Sequence, residues 1–151
     1  MQKFLLMIAA VLAVTGIGAN QSIAQENSDR TDLITETASG EFVVEGAERI
    51  ALERALELYS QGAVFVDLRS EWRYDLAHIR GAVGLKLDTQ FSEESLAKHA
   101  KKDQAIVFYC NHSACPHSAI ASAMALDWGY TNVHDFADGW SAWSGNNHDQ
   151  D

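Results

Sequence analysis

The chain has 151 residues, 47% of them hydrophobic, which is enough for a single domain with its own core. Its 21 acidic residues outnumber its 11 basic ones, for a net charge of −10, so nucleic acid and anionic membrane surfaces are excluded as partners. Two cysteines are too few for a disulfide-based scaffold.

Residues 1–24 have the layout of a secretory signal peptide. Lys3 lies in a short positive head, an apolar run of 11 residues follows, and Ser22 and Ala24 provide the small residues of a cleavage site before Gln25. A retained membrane anchor is the alternative, but the run is shorter than the roughly 20 residues that span a bilayer. We therefore expect a periplasmic or secreted protein without stable membrane insertion, in an oxidising compartment where cysteines can pair.

The rest of the chain alternates between predicted strands and helices. Residues 25–41 are polar and acidic and indicate a flexible leader, and residues 145–151 form a polar tail. Short apolar runs and helical apolar stripes divide the domain, residues 42–144, between these ends. Strands are predicted at 42–44, 63–68, 105–109 and 132–136, and helices at 46–60, 70–76, 92–99, 118–128 and 139–144.

This alternation predicts an α/β fold with a central, mostly parallel sheet and helices on both of its faces. In such folds, ligands bind just beyond the carboxyl ends of the strands. Cys110 is the first residue after the strand predicted at 105–109, and the next helix begins shortly afterwards. The connection that starts at Cys110 is therefore the candidate site.

A cysteine in this position has two interpretations. Backbone N–H groups and the positive end of the helix dipole favour the thiolate, which is the nucleophilic form. Alternatively, Cys110 is a small buried hydrophobic residue. The residues that follow it, as candidate contacts to a thiolate or anion, are Asn111, His112, Ser113, Ala114, Cys115, His117 and Ser118.

The spacing of residues argues against three other cysteine chemistries. Cysteine phosphatases clamp phosphate with an arginine on this loop, and Pro116 stands in its place here. The two cysteines are separated by four residues rather than the two of a thioredoxin-like motif. A metal site drawn from Cys110, His112, Cys115 and His117 is disfavoured because its ligands are crowded into one short loop. We therefore expect no metal and no cofactor.

Five segments resemble, in order along the chain, elements of rhodanese-like domains, and the match as a whole covers roughly residues 44–144. The second and third carry the sequences AHIRGAV and IVFYC, the latter ending in the cysteine that such domains use as their nucleophile. The segments lie at residues 64–69, 77–83, 106–110, 129–133 and 139–143.

The resemblance implies sulfur transfer. The thiolate of Cys110 would attack a sulfane sulfur donor such as thiosulfate and become a persulfide, and the sulfur would pass to a thiol, including a protein thiol, or to another acceptor. The N–H groups of the loop would stabilise the charged sulfur. Near this site, Asp67 and Arg69 are interpreted as a structural pair at a strand end, and His78 as a partner of backbone groups.

The loop departs from the family pattern, since it is longer and contains no Lys or Arg. His112 and His117 are its only candidate cations, and Asp138 and Arg80 replace a glycine and a proline of the pattern. Cys115 is a resolving thiol, a structural disulfide partner or a loop filler.

Two alternatives to the transferase therefore remain open. One is a catalytically degenerate rhodanese-like module that binds a partner or senses redox state through Cys110 and Cys115. The other is a periplasmic thiol oxidoreductase.

Overall fold

The computed structural model describes residues 31–146, 148, 150 and 151. The strands are β1 (Ile34–Glu36), β2 (Phe42–Val44), β3 (Glu48–Arg49), β4 (Val64–Asp67), β5 (Val83–Gly84), β6 (Ile106–Tyr109) and β7 (Val133–Phe136). The helices are α1 (Leu52–Ser60), α2 (Glu71–Leu76), α3 (Glu93–Ala97), α4 (His117–Asp127) and α5 (Gly139–Gly145), preceded by a 3-10 turn at Thr31–Leu33.

Five strands form one parallel sheet in the order β3-β7-β6-β4-β5, so the predicted α/β class is confirmed. Strands β4 and β6 lie inside the sheet and are almost wholly buried. Because helices cover both faces of these strands, their sequences are continuous apolar runs rather than alternating ones. Their carboxyl ends carry Asp67 and Tyr109, which are paired in register.

Each face of the sheet has its own core. Val66 and Phe108 point to one face and pack with Ala121 and Ala125 of α4. Successive strand residues point to opposite faces, so Phe65 and Val107 lie on the other side, together with Trp143 of α5. These two cores hold the carboxyl ends of β4 and β6 and the start of α4 in fixed positions relative to one another.

Two sequence-based expectations about the start of the domain are wrong. Part of the predicted leader is ordered, because β1 pairs antiparallel with β2, and this hairpin packs against α4 through Val44, Ala119 and Ala123. The helix expected at 46–60 begins only at Leu52, since β3 joins the parallel sheet beside β7. The helical apolar stripe does not reveal strand β3, because β3 forms only by pairing with β7, which is distant in sequence.

The two ends of the chain have different outcomes. The predicted signal peptide lies outside the described residues. None of the helices in the described part is long and apolar enough to cross a membrane. The predicted polar tail does not stand away from the domain, because Gln150 forms an isolated bridge with Ile79.

Candidate active site

The candidate site is the loop of residues 110–116, which joins β6 to α4. Cys110 is buried, with 4% of its surface exposed, and is joined to Cys115 by a disulfide with a Cα–Cα distance of 6.3 Å. The structure shows Cys115 as a disulfide partner, which is one of the three roles left open for it by the sequence. In this oxidised state neither sulfur is a thiolate, so Cys110 cannot act as a nucleophile until the bond is reduced.

The loop leads directly into the amino-terminal end of α4. Pro116 is the N-cap residue and makes no side-chain hydrogen bond to the helix, so no cap side chain satisfies the first N–H groups of α4. The Cys115 N–H donates to the His112 carbonyl at 2.9 Å and closes a turn within the loop. Such a helix end stabilises negative charge, which favours a thiolate or persulfide once the disulfide is opened.

The start of α5 holds the other side of the loop. The Trp140 N–H donates to the Cys110 carbonyl at 3.0 Å, and the N–H and Oγ of Ser141 donate to the Asn111 carbonyl at 2.9 and 2.8 Å. Gly139 lies so close to Cys110 that a Cβ at this position would overlap the Cys110 carbonyl oxygen. Its φ of +52° also lies in the left-handed region. The closing glycine of the sequence motif therefore allows two backbone segments to touch at the site.

We expect Gly139→Ala to lower the free energy of unfolding by about 2–4 kcal/mol, from the strain of a left-handed alanine and the displaced loop. Gly129→Ala is the matched control, because Gly129 has φ +85° but no atom within 4 Å of its added Cβ. Urea unfolding measures both variants. Equal losses would mean that the contact with Cys110 contributes nothing.

A buried ion pair between Asp67 and Arg69 is connected to the loop through Trp140. The Arg69 guanidinium donates to both carboxylate oxygens of Asp67 at 2.7–3.0 Å and to the Ala77 carbonyl at 2.7 Å. It also lies 4.6 Å from the centre of the Trp140 ring, and Trp140 in turn binds Cys110. Burial and the Asp67 carboxylate raise the pKa of Tyr109 well above its ordinary value, so this phenol is neutral.

Arg73 on α2 lies at the site and carries a positive charge, although it was not among the candidates predicted from the sequence. Its Nη1 lies 3.4 Å from Oδ1 of Asn111, the residue after Cys110. His112 is exposed, while His117 is half-buried with an Nδ1 that has no partner among the described residues. The weak sequence signal was the place of Arg73 in the segment predicted to be helical at 70–76, directly after the predicted pair of Asp67 and Arg69.

The remaining predicted candidates are His78 and residues 113, 114 and 118. His78 Nδ1 lies 2.8 Å from the Tyr74 carbonyl, and its ring stacks on that of Tyr74. In the loop, Ala114 is exposed and Ser113 half-buried, whereas Ser118 is buried in the first turn of α4.

Cys110, Cys115 and His117 bring their potential metal-ligand atoms within 4.8 Å of one another. The two sulfurs are bonded to each other, however, and metals bind cysteine as the thiolate. In this oxidised state the cluster is therefore not a metal site.

Asp135 is a buried carboxylate of β7 that faces the start of α4. It is 2% exposed, and its Oδ1 has no hydrogen-bond partner among the described residues. Burial raises the pKa of Asp135 above its ordinary value of 3.8, although a hydrogen bond from Ser118 partly offsets this. The charged form is therefore less stable in the folded protein than in water.

The raised pKa predicts that Asp135→Asn stabilises the protein at neutral pH. The folded state binds the Asp135 proton more tightly than the unfolded chain, so stability falls as pH rises through the window above 3.8 and stays reduced at pH 7. Removing the charge should raise the free energy of unfolding by about 0.5–2 kcal/mol at pH 7. At a second pH, below 3.8, it should have no effect, because the carboxyl is then protonated in both states. Thermal unfolding at the two pH values measures this, with the exposed Asp103→Asn as control. A destabilised variant at pH 7 would contradict it.

The domain that contains this site is similar to a known family and to proteins of known name. A family model described as rhodanese-like domain matches residues 51–146 and so confirms the resemblance found in the sequence. The thiosulfate sulfurtransferase GlpE of Pseudomonas entomophila (strain L48) is 32% identical over 96 residues, which cover 64% of this chain and 84% of that protein. The protein of the same name from Haemophilus influenzae (strain PittEE) is 28% identical over 96 residues and covers 64% and 87%.

Solved structures show the same fold at lower sequence identity. The human single domain sulfurtransferase TSTD1 has a TM-score of 0.56 and 20% identity, with 68% of this chain and 99% of that chain covered. The BH2092 protein from Bacillus halodurans has a TM-score of 0.57 and 24% identity, with 70% and 77% covered.

Proposed function

The chain belongs to the rhodanese-like domain family, and on that premise we propose that it is an exported sulfurtransferase that carries sulfane sulfur as a persulfide on Cys110. The observation that carries this proposal is the position of Cys110. It ends a buried strand and opens a loop held between α5 and the uncapped start of α4. The relatives named as thiosulfate sulfurtransferases support a sulfane sulfur donor and a thiol acceptor.

The first step is reductive. A dithiol reductant, or two small thiols, breaks the bond between Cys110 and Cys115 and is itself oxidised to a disulfide, leaving two cysteine thiols in the loop. The N-terminal end of α4 then favours loss of a proton from the reactive thiol to solvent.

In the second step the Cys110 thiolate attacks the outer sulfur of thiosulfate. A sulfur–sulfur bond forms to Cys110, the bond inside thiosulfate breaks, and sulfite leaves with the electron pair. Arg73, beside Asn111, supplies positive charge near the incoming anion on an otherwise acidic protein. An acceptor thiolate then attacks the outer sulfur of the persulfide, and the Cys110 thiolate is restored.

The disulfide favours a second candidate function, that of a thiol oxidoreductase or redox-sensing module. Cys115 can attack the Cys110 sulfur of the persulfide, release hydrosulfide and re-form the observed disulfide. The same pair can equally exchange with partner thiols and carry electrons without any sulfane sulfur. In that function the cycling of the disulfide is the activity rather than a step that precedes it.

Intact-mass measurement distinguishes the two functions. We expect reduced protein, freed of reductant and treated with thiosulfate, to gain the mass of one sulfur atom, and Cys110→Ser to gain none. Absence of loading in Cys115→Ser, which has no second thiol to resolve the persulfide, with thiosulfate and with glutathione persulfide would contradict the transferase. Rapid disulfide exchange with a partner dithiol in the same sample would then favour the oxidoreductase.

Export is part of the proposal and rests on residues 1–24 of the sequence. Amino-terminal sequencing of the protein from a bacterial host checks it, since cleavage should leave a chain that begins at Gln25. Recovery of the uncleaved chain from the cytoplasm would contradict export without affecting the transferase assignment.

A further inference from the structure

Helix α2 presents an unusual apolar surface to solvent. Trp72 is 61% exposed and Leu76 is 76% exposed, and they are two of the three large hydrophobic residues exposed in the described part of the chain. They are four residues apart on one short helix and therefore lie on the same side of it. Adjacent exposed apolar side chains of this size are typical of an interaction site.

This surface borders the reactive loop. Trp72 and Leu76 line a cleft of about 100 Å³ whose other walls include Asn111 and Trp140. Asn111 follows Cys110 directly, and the Trp140 N–H binds the Cys110 carbonyl. The cleft is smaller than the pockets that enclose cofactor-sized ligands, which are roughly 300 Å³ or more. It can therefore hold a side chain of a larger partner that brings its own reactive group to Cys110.

The charge of the cleft narrows the choice of partner. Its lining contains two arginines and no carboxylate, in a chain whose net charge is −10. Arg69 is neutralised by Asp67, whereas the Arg73 guanidinium lies 4.9 Å from the Trp72 ring and forms no ion pair among the described residues. An acidic side chain of a partner would therefore find one uncompensated cation next to an apolar surface.

We propose that the α2 surface, formed by Trp72, Arg73 and Leu76, docks the sulfur acceptor, a protein segment in which a cysteine is flanked by an acidic and an apolar residue. The apolar residue packs between Trp72 and Leu76, and the acidic residue pairs with Arg73. Donor and acceptor bind in succession, so Arg73 serves thiosulfate first and the acceptor afterwards. This inference rests on the proposed sulfur transfer and names its acceptor.

A binding measurement tests docking separately from sulfur transfer. The probe is a short peptide with the sequence Glu-Leu-Ser-Gly, in which serine replaces the acceptor cysteine, and its comparator is Lys-Ser-Ser-Gly. In a titration of isotope-labelled protein followed by NMR, we expect the first peptide to shift resonances of Trp72 and Asn111 and to bind at least about tenfold more tightly than the second.

Two matched variants sharpen this test. Trp72→Ala should weaken binding of the acidic peptide about tenfold, whereas Val43→Ala, which truncates a 40% exposed side chain on β2, should not. Equal weakening by both variants, or no shifts at α2, would overturn the proposal. Self-association of the protein through α2 without peptide would assign the surface to a second copy and would also overturn it.

A transfer assay then connects docking to function. With persulfide-loaded protein, Trp72→Ala should lower the ratio of the transfer rate to Glu-Leu-Cys-Gly over the rate to dithiothreitol about tenfold, and Val43→Ala should leave that ratio unchanged. An unchanged ratio in Trp72→Ala would overturn the docking proposal. Failure to load Cys110 at all would contradict the proposed function instead, and the NMR titration would still decide on docking.

Discussion

Replacing Cys115 with serine should give a protein that takes up sulfane sulfur without prior reduction, whereas the wild-type chain should load only after its disulfide is reduced. The bond between the two cysteines removes the Cys110 thiolate entirely, so the expected difference in the oxidised samples is between full loading and none. Intact-mass analysis with thiosulfate, with and without pretreatment by a phosphine reductant that is removed before thiosulfate is added, measures this.

The same variant reports on the role of Cys115 after loading. If Cys115 resolves the Cys110 persulfide, wild-type protein should lose its sulfur as hydrosulfide and return to the disulfide, while Cys115→Ser should keep it. Cys110→Ser is the control, because it keeps one thiol but lacks the proposed nucleophile. Loading of oxidised wild-type protein to the same extent as Cys115→Ser would show that the disulfide does not control the site.

Asp67→Asn should be the most destabilising substitution in the support of the site, with a loss of about 3–5 kcal/mol in unfolding free energy. The side chains of Asp67 and Arg69 are 0% and 3% exposed, so removing the carboxylate leaves a buried guanidinium without its counter-ion. Arg69 also contacts the Trp140 ring, and the reduced variant should therefore load sulfur more slowly even where it remains folded.

An exposed pair provides the matched control for this prediction. Arg54 and Glu57 form an ion pair at 2.9 Å whose side chains are 41% and 61% exposed. Glu57→Gln should cost less than about 1 kcal/mol, because solvent screens the pair. Chemical denaturation measures the free energy of unfolding of both variants. Similar small losses of stability would show that the pair of Asp67 and Arg69 does not hold the site together.

Local patterns predicted the central part of the fold because its strands are buried on both faces. The segments around β4 and β6 are continuous apolar runs, which arise when helices cover a parallel sheet on both sides. The short strands β3 and β5 were missed, since two residues carry no periodic signal and gain their structure from pairing with β7 and β4.

The fold class and the place of Cys110 at the end of a buried strand follow from the sequence alone, because hydrophobic periodicity and motif order are local properties of the chain. Only the tertiary structure joined Cys110 to Cys115, brought Arg73 to Asn111 across 38 residues, and set Gly139 against the Cys110 carbonyl. Those contacts depend on how α2, α5 and the loop pack around the sheet. Packing between distant segments is decided by shape and burial in three dimensions, and spacing along the chain does not encode it directly.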